Sequence, residues 1–314
     1  MISRPESQHR WAGESGHLLS AHAQSAAEHS FLRRPAITLL SPDTPIAATP
    51  VQPRTRGTVT LSAKRLGPRS VIDGLRQSGS YKALFPRTGD MLQSILINTS
   101  GGVTGGDRLA LEAGVGVGAA LSLTTQAAER AYRSLDGSPG QVCSRITVGD
   151  EALLHWLPQE LILYEGCALR RTLEIDLTLS SRLLMVEPVI FGRVAMGEVV
   201  TSGAFHDDIT VRRAGRQLYR DATRLSGDIT ARLARPAVAS GAKAMASLLF
   251  VDPRAEALLP RIRDMMPETG GASLLAADVL TLRLLAEDSH ALRQHLLPVL
   301  DLLSDDTLPV SWRL

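Results

Sequence analysis

Residues Asn98–Asp107 read Asn-Thr-Ser-Gly-Gly-Val-Thr-Gly-Gly-Asp. Glycines and hydroxyls at this density suit one piece of chemistry, the presentation of backbone N–H groups to an anion. A phosphate loop, however, needs Gly-x-x-x-x-Gly-Lys-Ser/Thr, whose lysine reaches the phosphates. The chain has three lysines, Lys64, Lys82 and Lys243, none in that setting. A dinucleotide fingerprint needs a strand before its glycines and a helix after them, whereas a strand-like pattern follows here. The stretch therefore reads as a pair of tight turns on Gly101, Gly102, Gly105 and Gly106, with Asp107 orienting turn amides. The alternative is a stand-alone β-rich small-anion-binding module or enzyme that uses residues 98–107 as its floor.

Other reactive side chains give less. Ser100 among glycines is a turn residue, and there is no Gly-x-Ser-x-Gly elbow. His290 and His295 are five apart and do not share a helix face as an i, i+4 pair would. His155 beside Trp156 reads as a half-buried strand histidine, and His206 before Asp207-Asp208 as part of a solvated turn. Cys143 and Cys167 are too distant in sequence to define a shared site. His9, His17, His22 and His29 are irregularly spaced. No catalytic constellation and no tight zinc centre is expected.

The elements that position the glycine loop are strands. From Leu109 to Leu123 every odd residue is apolar, a period of two that predicts one long half-buried strand. Gly114, Gly116 and Gly118 on its other face suggest a bend or a close backbone approach. Val59, Leu61 and Ala63 alternate with polar residues, Met91–Ile97 is a short apolar run, and Leu173–Leu179 alternates. Leu183–Val186 reads as fully buried. Ile209–Arg212 and Gln217–Arg220 form a hairpin around Ala214-Gly215. Helices come late: one opens at Asp252-Pro253 and runs to about Met266, bent at Pro260, and a second is capped by Ser289. Val279–Ala286 between them is a further strand. Many strands without interleaved helices predict a mainly β protein, a large antiparallel, sandwich-like core with a few C-terminal helices.

At 314 residues and 44% hydrophobic content the chain can bury a substantial core, and a net charge of +2 gives no global field for nucleic acid or acidic membrane. The basic residues are nearly all arginine, a compositional bias that also suits protein interfaces. Two cysteines make no disulfide framework and point to a reducing compartment. No stretch has the length of a membrane span and no secretory signal is evident, so a cytoplasmic protein is expected. Residues 1–53, rich in Ser, Ala, His and Pro without periodicity, read as a disordered or loosely held extension, and 54–314 as the folded domain.

The glycine-doubled loop ending in Gly-Gly-Asp-Arg, the alternating run, and then Thr124-Thr125-Gln126-Ala127-Ala128-Glu129-Arg130-Ala131-Tyr132-Arg133 together resemble the urease accessory protein family UreD, also called UreH. Trp156-Leu157-Pro158-Gln159-Glu160, Leu163-Tyr164-Glu165-Gly166, Glu187-Pro188-Val189-Ile190-Phe191-Gly192-Arg193, Gly197-Glu198 and the closing Leu308–Arg313 agree in order and spacing. The resemblance covers roughly Arg54 to Leu314. It implies a non-enzymatic maturation factor that binds apo-urease and, with UreF and the GTPase UreG, enables nickel insertion. It also implies no tightly bound cofactor, only transient nickel. A passage for nickel needs ligands that release it, which carboxylates and carbonyls do better than a closed Cys/His cage. The carboxylates within the family-like motifs are Asp107, Glu160, Glu187 and Glu198. Glu129, near Arg130 and Arg133, reads instead as an ion-pair or interface residue. Arg130, Tyr132, Arg133 and Trp156 are the interface candidates, within Thr125–Arg133 and the Trp156–Gly166 block.

Overall fold

The computed structural model describes residues 53–87, 89–193 and 196–313. The expectation for residues 1–53 therefore lies outside the described residues, Pro53 apart. In chain order the strands begin with β1 (Arg56–Leu66), β2 (Arg69–Gly79), β3 (Tyr81–Leu84), β4 (Leu92–Asn98), β5 (Arg108–Val115) and β6 (Ala120–Thr125). There follow β7 (Glu129–Ala131), β8 (Gly140–Val148), β9 (Leu153–Leu157), β10 (Leu161–Leu163), β11 (Ala168–Leu177) and β12 (Arg182–Phe191). The hairpin β13 (Gly203–Arg213) and β14 (Arg216–Gly227) leads to helix α1 (Ile229–Leu233), then β15 (Ala244–Val251) and α2 (Ala255–Asp264). The chain ends with β16 (Gly270–Ala276), β17 (Val279–Ala286), α3 (Ser289–Ser304) and a 3-10 turn over Val310–Arg313. No helix among the described residues is long and apolar enough to cross a membrane.

The chain is mainly β with helices toward its C-terminus, as the strand-rich pattern predicts. Two sheets stack, a seven-stranded one ordered β14-β13-β11-β8-β5-β1-β2 and a ten-stranded one built on β16-β17-β15-β12-β9-β6-β4-β3. The antiparallel expectation holds only toward the edges. In the middle, β1, β5, β8, β11 and β13 run parallel, as do β4, β6, β9 and β12. Parallel neighbours need a crossover connection. Here the crossover passes through a strand of the other sheet, because between β4 and β13 the chain, the short β7 and β10 apart, alternates sheets and returns each time beside its previous strand in that sheet. A pattern without helices therefore did not exclude parallel pairing.

The same winding divides the alternating run. Residues Leu109–Leu123 form two strands in opposite sheets, β5 and β6, joined by a corner at 116–119 where Val117 is 68% exposed. Gly118 has φ +63°, and a Cβ on Gly116 would lie 2.9 Å from the Ala63 carbonyl oxygen. Glycine makes this corner, not a bend within one strand.

Inward residues of the two sheets, among them Leu61, Leu111, Ile146, Ile175 and Val211 against Leu121, Leu154, Leu183 and Met185, form one core. The other face of the ten-stranded sheet packs α2, α3 and Trp312 over Leu184, Val186, Leu248 and Phe250. This leaves β12 buried on both faces, the reason Leu183–Val186 has no polar alternation. Two helix starts differ from expectation. Asp252 accepts from Arg254 N (2.9 Å) ahead of α2, which begins at Ala255, and the side chain that caps α3 is Asp288, accepting from Ala291 N (2.8 Å).

Candidate functional site

Along β11 the inward positions are Leu169, Arg171, Leu173, Ile175 and Leu177, and along β13 they are Phe205, Asp207, Ile209 and Val211. Arg171 and Asp207 thus occupy apolar parity positions, directly in register on adjacent parallel strands. They form a forked pair, with Arg171 Nε donating to Asp207 Oδ1 (2.9 Å) and Nη2 to Oδ2 (2.5 Å). From the facing sheet, Glu187 of β12 brings Oε2 to 2.6 Å from Arg171 Nη1. That contact lacks hydrogen-bond alignment, so Oε2 is a buried oxygen with no hydrogen-bond donor. Its other oxygen accepts from Trp156 Nε1 at 2.6 Å.

Arg171, Glu187 and Trp156 border a cavity of about 60 Å³ between the sheets, also lined by Tyr81, Thr125, Glu129, Ser144 and Gln159. Tyr81, Thr125 and Glu129 line in addition a surface pocket of about 160 Å³. Glu129, whose carboxylate Asn98 Nδ2 approaches at 3.3 Å, is thus a residue common to both.

The electrostatics follow from burial. Glu129 is pushed above the ordinary carboxylate range by loss of solvent, opposed by the Arg130 backbone N–H and Asn98. Burial likewise raises Glu187, with Arg171 pulling the other way. Burial works against charge on Arg171, but Asp207 and Glu187 outweigh it and hold the guanidinium firmly protonated. The result is a low-dielectric site holding oxygen donors, two of them carboxyls with raised proton affinity, beside one fixed cation.

The four carboxylates named from the sequence do not converge. Only Glu187 faces the cavity. Asp107, 4% exposed, accepts from Thr55 N (2.7 Å) and Thr104 N (2.9 Å) and pins the glycine turn to the start of β1. Glu160 is held by Arg293 of α3 (Nε to Oε1, 2.5 Å; Nη2 to Oε2, 3.0 Å). Glu198 is forked by Arg193 at 3.0 and 2.9 Å on a surface loop. Trp156, an interface candidate by sequence, is instead buried at 7% with its indole committed to Glu187, because β9 lies mid-sheet. Arg130 and Arg133 are exposed, and Tyr132 stacks edge-on against Tyr164 with ring centroids 5.0 Å apart. Among the described residues no three His, Cys, Asp or Glu side chains gather as a metal cage.

The glycine loop is a packing device. Cβ atoms on Gly102 and Gly105 would lie 2.3 Å from the Tyr132 ring and 2.2 Å from Ser134 Oγ, while Gly101 and Gly106 have φ of +79° and +82°. Its amides are turned inward: Val103 N donates to Arg130 O, Gly106 N to Pro139 O, and Thr104 N to Asp107. An anion-binding floor would need those donors free.

The missed residues are Arg171 and Asp207, together with Glu129 as a cavity group. A charged residue at an inward parity position was the readable signal. It was hidden in Arg170-Arg171 and His206-Asp207-Asp208, where one neighbour points outward and makes the pair look solvated.

The arrangement defines a class, a two-sheet β protein whose interior carries a charged, oxygen-lined chamber that shares lining residues with a surface pocket. Residues 55–312 match the family described as UreD urease accessory protein. The chain is 51% identical over 268 residues to the urease accessory protein UreD of Roseobacter denitrificans, covering 85% of this chain and 98% of that one. It is 51% identical to the protein of that name from Ruegeria pomeroyi (80% and 98% covered) and 42% identical to that from Agrobacterium fabrum (84% and 93%). The chain belongs to the UreD urease accessory protein family.

Proposed function

We propose that this protein acts in urease maturation as a non-catalytic scaffold. It docks on apo-urease, the accessory protein UreF bridges it to the GTPase UreG, and nickel passes through it as cargo on weak oxygen ligands. Family membership supports the urease assignment. The observation that carries the passage is Glu129, which lines both the surface pocket and the interior cavity, with Glu187 also lining that cavity.

The chemistry suits transit. Carboxyl, hydroxyl and amide oxygens bind a late first-row dication less tightly than thiolate or imidazole sets do. Protons compete for Glu129 and Glu187, whose proton affinity is raised. Arg171 offsets the attraction of Glu187 and Asp207 for a dication. Each feature favours release over capture.

The test is the nickel content and activity of urease purified from cells with and without this gene, all other urease genes being present. The expected result is abundant, nickel-poor, inactive urease in the deletion. Unchanged nickel and activity would overturn the assignment.

A further inference from the structure

The outward face of the seven-stranded sheet holds a feature that the cavity does not explain. Strand register places Arg56 opposite Arg108, Arg108 opposite Gln141, Gln141 opposite Arg170, Arg170 opposite His206, and His206 opposite Arg224. Residues directly opposed across strands share a face. The buried neighbours Leu109, Leu169, Phe205 and Leu225 show that this face is the outer one. Six side chains thus form one row across six strands, about 24 Å long at the usual strand spacing, with four arginines, one histidine and no carboxylate.

Elsewhere on this face the charges are matched: Arg145 pairs with Glu174, Arg212 with Asp176 and Arg220 with Asp208, which also takes Arg224 at the end of the row. Among the described residues Arg56, Arg108 and Arg170 have no carboxylate within 4.0 Å. Like charges directly opposed across strands are unfavourable, yet Arg56 stands beside Arg108. The adjoining row includes Ala110, Cys143 and Thr172, in register with one another. That row continues into Asp208, in register with Thr172 and paired with Arg220 and Arg224.

We propose that this row docks an acidic segment of a partner protein. Guanidinium forks take carboxylates in bidentate geometry, and a row of them on a rigid sheet selects for carboxylates presented along a line. A nucleic-acid strand would call for aromatic platforms interleaved with the cations, and neither this row nor the adjoining one carries Phe, Tyr or Trp. The surface lies on the seven-stranded sheet alone and is independent of the nickel reading.

The experiment uses the full-length chain and a fluorescein-labelled oligoglutamate peptide, read by fluorescence anisotropy at low salt. Combined Arg108→Glu and Arg170→Glu should weaken binding at least about tenfold. The same charge change at the exposed Arg235 and Arg261 should alter it by less than about twofold. Arg108→Lys with Arg170→Lys should fall between, because the charge stays and the fork is lost. If the glutamate pair fails to fold, Arg108→Ala with Arg170→Ala carries the same expectation. Three outcomes overturn the proposal: no binding by the unaltered chain, equal loss in the off-row variant, or tighter row-dependent binding of an oligothymidylate of equal charge.

Discussion

Arg171 reaches from the seven-stranded sheet to Glu187 on the ten-stranded sheet, Nη1 to Oε2 at 2.6 Å, and so ties the two layers across their shared interior. The same guanidinium grips Asp207 on the neighbouring strand. One cation therefore serves two buried carboxylates, and Arg171 and Glu187 also line the cavity beside them.

Removing the cation should cost much more than removing one anion. Arg171→Met strands two carboxylates without a counter-charge and should destabilise the protein by about 3–5 kcal/mol. Glu187→Gln leaves the Arg171–Asp207 pair intact and an oxygen for Trp156, so about 1–2 kcal/mol is expected. Denaturant midpoints at constant m-value give both numbers.

Acid should weaken the fold through His155, which is buried and held down to about 4, chiefly by loss of solvent. Below about pH 6.5 the unfolded chain takes up a proton there that the folded chain refuses, so stability falls until about pH 4. The shift corresponds to roughly 3 kcal/mol across that window. His155→Phe should flatten the stability profile between about pH 7 and about pH 5, measured by chemical denaturation. An unaltered profile would remove His155 as the cause.

Alanine at Gly102 or Gly105 should destabilise by about 1–3 kcal/mol, since the new methyl meets the Tyr132 ring or Ser134 and the Ser138 carbonyl. Gly271→Ala in β16 meets nothing within 4 Å and should be neutral or slightly stabilising. Thermal unfolding of the three variants separates close packing from glycine content.

In a urease-producing strain, Glu129→Ala and Glu187→Gln should lower the nickel content of purified urease while this protein still co-purifies with it. Glu198→Gln, whose partner is the surface residue Arg193, and Asp107→Asn, whose partners are turn amides, should leave nickel per folded protein unchanged. Metal analysis normalised to the amount of co-purified chain makes the comparison. Equal effects from all four substitutions would remove the cavity from the route.

Period-two alternation at β1 and β11, the further strand at β17, the Ala214-Gly215 hairpin and the late helices were all readable, because local backbone preference and one buried face suffice to write those patterns into sequence. The order of motifs along the chain likewise carried the family. Strand pairing was not readable. Alternation reports that a strand has an inside but not which sheet receives it, so Leu109–Leu123 read as one strand and the parallel centre as antiparallel. Tertiary structure alone decided which charges meet: Arg171, Asp207 and Glu187 are scattered over 37 residues of sequence and converge only because successive strands alternate between sheets. The arginine row on the outer face has the same origin, since cross-strand register, and no local spacing, lines up residues from Arg56 to Arg224.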